Sequence, residues 1–448
     1  MPVIGFHLGR SIRWPSQIRG GGSGLRARVA FGFLMVGILF LGSDHLHLSP
    51  ANATASAYQF SIVQWELANL PRKWLHLLTY IVPGRKPTRE ERLAAIDEYL
   101  LVARLAQKEK DRLEGRAGRS SSTLAAGAGR DSSASREYLD ELLEDREALR
   151  AEAEEGMEAE LSAAFIEEGM ASRVGFLFPP VDLRFDRPPT IFITSPRDRI
   201  KREEAMLLEP EIPVLDRDRL ENELLNRYDR SALVDDLAGL STYPSLVSEL
   251  SPLRSVLQTA AHEWLHHYFF FRPLGWSIGR SSEMFTLSET ASDLAGRELG
   301  DIAFARMGGD LSVSSHRYLS SAERYPNITR EMRETRLEVE RLLAEGRVGE
   351  AEEYMKERWW FLALRGFRLR KLNQAYFAFH GTYAESPASI SPIGGQLAEL
   401  RSLVPGVGEF VRTVAGLSSY PEFLALLESL RPPEQVQPTA SATSQTSD

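Results

Sequence analysis

The sequence predicts an α+β protein, with a small sheet lobe and a large α-helical lobe, preceded by a helical arm and an apolar amino-terminal segment. Three observations carry this. Short β-branched and aromatic runs gather between residues 174 and 250, the chain elsewhere has helical patterning, and stretches rich in Gly, Ser and Pro divide it into segments. At 448 residues, 43% hydrophobic and 26% charged, it has the composition of a globular protein with a large core. A formal net charge of -9, with cations and acids intermixed, leaves no footprint for nucleic acid and excludes that partner class. Because the chain has no cysteine, it has neither a disulfide framework nor a thiolate ligand, and any metal is held by histidines and carboxylates.

Residues 1–57 read as a signal peptide or signal anchor. Arg10, Arg13, Arg19, Arg26 and Arg28 precede the apolar run 29–42, and no acid occurs before Asp44. That run makes about 21 Å of helix against a hydrocarbon core of about 30 Å, which suits a signal-peptide core. Ala51 to Ala57 contains two Ala-x-Ala cleavage candidates, while snorkelling arginines with His45 and His47 suit a short uncleaved anchor, so both alternatives stand. Either way the remainder is expected outside the cytoplasm, membrane-anchored with its amino end inside or secreted after cleavage.

Residues 58–170 form the expected helical arm. Phe60 to Val82, with Trp65, Trp74 and Tyr80, reads as a pair of short helices on the body, since no basic polar face marks it as a membrane-surface segment. A capping-box-like Thr-Arg-Glu-Glu opens a helix at Thr88 that runs to Leu113. Residues 115–135 read as a flexible linker, and an acid-rich helix with a solvated face resumes from Arg136 to Met170. Within 171–430, Val181 to Phe185 and Thr190 to Thr194 read as strands separated by the turn at Pro188-Pro189. Asp216 to Tyr228 reads as a helix, and 231–247 as edge strand or loop around Gly239 and Pro244. Helices follow at 252–270, 284–307, 329–345 and 349–378, with shorter ones to Leu430, and 431–448 is a polar, disordered tail.

The chemistry concentrates at His262-Glu263-Trp264-Leu265-His266. On a helix the i, i+4 spacing points both imidazoles at one ion, and Glu263 falls about 100° round, where a general base belongs. The context is right: Ser251-Pro252 makes a helix start, and Leu253, Leu257, Ala260, Ala261, Trp264, Leu265 and Tyr268 supply an apolar stripe. A catalytic zinc needs a third protein ligand and one open position. A metzincin extension is excluded, because Phe269 and Arg272 stand where Gly and His are required. Instead the next helix carries Glu289 and Asp293 one turn apart, so Glu289 can ligate while Asp293 accepts a hydrogen bond from a ligand histidine. On a largely apolar helix, two carboxylates call for a partner. His267 points away from His266 and reads as a surface or supporting residue, and His316 as incidental.

His-Glu-x-x-His followed by Glu-x-x-Ser-Asp resembles the zinc signature of the gluzincin metallopeptidases, and its second half is similar to the thermolysin-like version. The resemblance spans residues 262–293 and departs where Ser288 replaces the usual Asn. It implies a zincin-like catalytic domain with Zn2+ held by His262, His266 and Glu289, Glu263 as catalytic base, and Asp293 orienting His262. The implied reaction is peptide-bond hydrolysis on a peptide or protein substrate. Such sites also need a donor for the developing oxyanion, for which His380 and Tyr383, on either side of the Gly381 that ends a long helix, are the candidates. Tyr243-Pro244 reads equally as a substrate-binding edge strand or an ordinary turn. A different class of function remains alongside: a non-catalytic, membrane-associated helical scaffold with a structural or vestigial metal site. The sequence leaves the oligomeric state open.

Overall fold

The computed structural model describes residues 49–69, 87–119, 128–172, 175–312, 328–367, 369–384 and 386–432. The apolar run 29–42, the second half of the 60–82 segment, His316 and the tail beyond 432 lie outside them. Among the described residues no helix is long and apolar enough to cross a membrane.

The elements in order are α1 (Pro50–Ala55), α2 (62–69), α3 (Arg89–Arg119), α4 (Ala128–Glu167), β1 (Leu183–Phe185), β2 (Thr190–Pro196), β3 (Glu204–Leu208) and α5 (Val214–Tyr228). They continue as β4 (Arg230–Asp236), β5 (Gly239–Leu240), β6 (Ser245–Val247), α6 (Leu253–Phe270), α7 (Pro273–Ser277), α8 (Ser282–Arg306) and α9 (Ile328–Ala344). The last are α10 (Val348–Leu364), α11 (Gln374–His380), α12 (Ile393–Leu403), α13 (Val407–Ala415) and α14 (Tyr420–Leu430). This is an α+β arrangement, mostly helical with two small sheets.

One sheet has the order β3-β2-β4 and is antiparallel throughout. Alternation along β2 sends Phe192 to one face, with α1 and α5, and Ile193 to the other, with α9, α10 and α11, so helices cover both faces. The second sheet has the order β1-β6-β5, with β1 and β6 parallel and β5 antiparallel to β6 at the edge. The two strands expected to share a turn thus belong to different sheets. β3 has no counterpart in the sequence reading: Glu-Ala-Met-Leu-Leu is made of helix formers, and it is a strand because β2 offers it a full ladder.

The arm departs from expectation in two ways. Its helices extend to Arg119 and from Ala128, which shortens the expected linker at both ends, because helix propagates through Ala and Arg once a long turn-stack is nucleated. The helices also belong to the main core. They run antiparallel, with Arg89 paired to Glu160 at 2.7 Å; Tyr99 stacks on Phe185 at 4.9 Å, and Phe165 lies 4.4 Å from the indole of Trp264. The acidic face of α4 is not simply solvated. Glu154 and Glu158, one turn apart, accept the backbone N–H groups of Phe185 and Leu183, each at 2.9 Å, which satisfies the edge of β1 that β6 leaves open.

α1 packs Ala51 and Ala55 into the core beside Phe192 and Leu220, so the small-residue stretch read as a cleavage region forms part of the sheet lobe. The expected helix over 349–378 is two. α10 ends at Leu364, and Gly366, with φ +87, takes the left-handed turn that stops it. Arg370 and Lys371, which follow α10, both reach Glu221, a buried acid of α5.

Candidate metal centre

α6 starts one residue later than its sequence signal. Pro252 is the capping residue and no side chain caps the helix; Ser251 makes no such bond. The helix ends before Pro273, and its stripe of Leu257, Ala260, Ala261, Trp264, Leu265 and Tyr268 is buried as expected. α8 runs antiparallel to it: Arg254 grips Asp301 in a two-pronged ion pair of 2.6 and 2.7 Å, while His266 faces Glu289.

Glycine makes the approach close. A Cβ on Gly296 would stand 2.9 Å from the His262 nitrogen and 3.0 Å from its Cα, and one on Gly300 would stand 2.5 Å from the Gln258 Cα. Glu289, Asp293, Gly296 and Gly300 follow i, i+4, i+7, i+11 spacing, so one stripe of α8 carries both the carboxylates and the glycines that let them reach α6.

The imidazoles converge. The Nε2 atoms of His262 and His266 are 3.0 Å apart, and the Glu289 carboxylate oxygens lie 4.0 Å from the first and 3.7 Å from the second. Ligand atoms about 2.0–2.1 Å from a tetrahedral zinc stand about 3.3 Å apart, so the two imidazoles stand near ligand spacing, while Glu289 turns a different oxygen to each histidine and has to close in for one oxygen to join them on an ion. Glu263 also has a carboxylate oxygen within 4.8 Å of the histidine nitrogens. It is turned aside by Ser241, whose hydroxyl donates to Glu263 Oε2 at 2.5 Å. Asp293 Oδ1 stands 3.2 Å from His262 Nδ1, which favours a proton on Nδ1 and directs Nε2 toward His266, the nitrogen that a bound ion would meet in place of a proton.

No family model matches the chain, and no curated protein or solved structure matches it.

The electrostatics of the cluster ask for a cation. Burial opposes charge on His262, yet the Asp293 hydrogen bond and the fields of Glu263, Asp293 and Glu289 overcome it and raise its pKa to about 9. Burial raises Glu289 to about 7 despite His262, and raises Glu263 against the opposing effects of His262 and Ser241. His266 is held well below its ordinary value by burial and by the neighbouring histidines. Among the described residues Glu289 accepts no hydrogen bond, although it is 8% exposed. A buried carboxylate without a donor, facing two imidazole nitrogens, is a donor set that fits a divalent ion of zinc type.

The remaining expected residues separate. Ala384 donates its backbone N–H to Thr290 Oγ1 at 3.2 Å, which pins the segment after Tyr383 beside Glu289. Burial, followed by the fields of Glu289, Glu263 and Asp293, holds the Tyr383 phenol well above its ordinary value, so it stays protonated and can donate. His380 is engaged elsewhere, with Nε2 2.8 Å from Asp235 of β4 and its ring 4.4 Å from Tyr376. His267 is buried rather than at the surface; its ring lies edge-on to Tyr243, and burial lowers it to about 4. Tyr243-Pro244 is the connection between β5 and β6, and the edge strand beside the site is β5 itself.

Two participants escaped the sequence reading. Ser241 follows β5, and Gly239 of that strand lies so close to Glu263 that a Cβ there would be 2.6 Å from Oε1. Arg202, between β2 and β3, stacks its guanidinium 4.1 Å over the ring of Phe285, one turn before Glu289. Neither stretch carries a spacing signal, because strand pairing rather than helical period brings them to α6 and α8.

Proposed function

We propose that the chain is a zinc-dependent peptidase of gluzincin type in a zincin-like domain, with His262, His266 and Glu289 holding the ion. One observation carries the reading: two imidazole nitrogens 3.0 Å apart face a buried carboxylate at 3.7 and 4.0 Å, while the neighbouring Glu263 is held back by Ser241. Three protein ligands leave a coordination position open, the arrangement of a catalytic rather than a structural site. Bound zinc supplies Lewis acidity, which lowers the pKa of water to about 7 and polarises a carbonyl.

The chain's own groups do the remainder. Glu263 takes the proton of the attacking water on Oε1, since Oε2 already accepts from Ser241, and delivers it to the leaving amine. Burial raises its proton affinity, which makes it a stronger base. Tyr383, protonated and pinned near Glu289, donates to the developing oxyanion. Asp293 keeps the His262 tautomer and ring plane. Among the described residues β5, beside Glu263, is an edge strand paired only with β6, the kind of edge to which an extended peptide adds. The arginine-flanked run 29–42 in the sequence supports an activity outside the cytoplasm, tethered to or released from the membrane.

Elemental mass spectrometry of the purified protein beside its Glu289→Ala variant tests the site, and hydrolysis of a peptide library with Glu263→Gln as control tests the chemistry. About one zinc per chain, lost in Glu289→Ala, and cleavage abolished in Glu263→Gln are expected. A folded protein that takes up no zinc when it is supplied refutes the reading.

A further inference from the structure

The connection between β2 and β3 holds, beside the site, a cation with no carboxylate partner among the described residues. Every other arginine between residues 197 and 230 has a carboxylate partner among the described residues: Arg197 with Asp229 and Glu352, Arg199 with Asp198, Arg217 with Asp236, Arg219 with Asp216, Arg227 with Glu223 and Arg230 with Glu203. Arg202 is half-buried and stacks 4.1 Å over the Phe285 ring, and among the described residues no carboxylate pairs with it. Stacking occupies the flat face of a guanidinium and leaves the in-plane N–H donors free, in the fork that matches a carboxylate. In a half-buried place such a fork binds a carboxylate more strongly than it would at the open surface, so the position suits an anion. Glu289 does not supply it, as no ion pair joins the two, although the Arg202 charge is felt at both Glu289 and Tyr383.

We propose that Arg202 is the specificity residue of the site and binds a carboxylate of the peptide substrate, an inference that rests on the peptidase reading above. Phe285 precedes Glu289 by four residues, about 6 Å along the helix axis, and an extended peptide advances about 3.3 Å per residue. Arg202 over Phe285 thus stands one helical turn from Glu289, close enough for a carboxylate it grips to belong to a peptide whose bond is presented to Glu263. A free C-terminus a short way beyond the scissile bond and an acidic side chain in the same place share this chemistry. The substrates are thus peptides that carry an anionic group a short way from the cleaved bond, rather than peptides at large.

The test uses the zinc-loaded full chain carrying Glu263→Gln, so that peptide is bound and not consumed. Three dansylated hexapeptides of Ala and Ser are titrated by fluorescence anisotropy: the free acid, the carboxamide, and a carboxamide with one internal Glu. The free acid, the Glu-containing carboxamide, or both bind about ten- to hundredfold more tightly than the plain carboxamide, the range of a charge-assisted pair. Adding Arg202→Gln removes that preference while zinc content is unchanged. Which of the two acids gains identifies the source of the carboxylate. Equal binding of all three peptides, no binding of any, or a preference that survives Arg202→Gln overturns the inference while zinc uptake leaves the metal site intact. A protein that takes up no zinc fails at the earlier step, and the role of Arg202 falls with it. The three-peptide comparison on an unaltered Arg202 stands even where the Arg202→Gln protein does not fold.

Discussion

Gly296→Ala is the substitution that isolates the spacing between the two site helices. The added methyl carbon would stand 2.9, 3.0 and 3.1 Å from the nitrogen, Cα and Cβ of His262, and two of those three atoms are backbone. No rotamer change relieves such a contact, so α8 has to withdraw, by about 0.5 Å for ordinary van der Waals separation. Metal sites tolerate errors of about 0.2 Å in ligand position, so Glu289 and Asp293, on the same stripe as Gly296, leave their optimum. A loss of about ten- to hundredfold in zinc affinity is expected, or about 1.4–2.7 kcal/mol. Stability of the metal-free protein is a poorer reporter. Overpacking costs about 1–3 kcal/mol while replacing a helical glycine returns about 1 kcal/mol, and the two partly cancel. Affinity separates them, because helix propensity acts equally on the metal-free and metal-loaded states. The assay is competition for zinc against a chelator of known affinity, with Gly300→Ala as a comparison that spreads the helices one turn further from the ligands. A Gly296→Ala protein that binds zinc like the parent and is more stable by about 1 kcal/mol would refute the close-approach argument.

Three more outcomes are expected. Ser241→Ala removes the hydroxyl that donates to Glu263, whose proton affinity then rises further; since the base acts only when ionised, the acid limb of the kcat/KM profile moves to higher pH, and a profile that stays in place contradicts the assignment. Glu66, under the Tyr243 backbone N–H, is raised by burial from 4.5 to about 7, so its contribution to stability is complete below 4.5 and is lost as pH rises through 7, at most about 3 kcal/mol. Urea unfolding at about pH 5 and about pH 8 should show that loss in the parent and not in Glu66→Gln. Glu221, fully buried, accepts from Arg370, from Lys371 at 2.7 Å and from the Val234 backbone at 2.6 Å; Glu221→Ala leaves Lys371 and the Val234 N–H without this partner and Arg370 with Asp218 alone as its carboxylate, and should lower unfolding free energy by about 3 kcal/mol, measured by denaturant titration, where a change under about 1 kcal/mol would show the clamp to be dispensable.

Helical features were legible in the sequence because their signals are local. The motif helix, its end before Pro273 and the pairing of Glu289 with Asp293 follow from residues three and four apart, and the structure brings those side chains together. The sheets were only half legible. β2 announced itself by Thr-Ile-Phe-Ile-Thr, but β3 is written in helix formers and exists through its partner. The acids of α4 looked like a solvated face because nothing within the helix reveals that β1 lies against it with unpaired N–H groups.

The separation of His380 from Tyr383 shows where local signals stop. Three residues apart near the end of α11, they look interchangeable as donors to an oxyanion. The helix ends between them, at Gly381, so the chain after it is free to take a direction of its own. Asp235 of β4 then claims His380 at 2.8 Å, and Thr290 of α8 claims the backbone after Tyr383 at 3.2 Å. Each choice is made by a residue about ninety or more positions away in sequence, of a kind no periodicity encodes. The same holds for Ser241 and Arg202, delivered by strand ends to a helix pair whose own pattern was plain. On the proposed reading the metal-binding half of the site is thus written in helical spacing. The half that would meet the substrate is written in sheet topology, which has to be seen folded before its residues can be named.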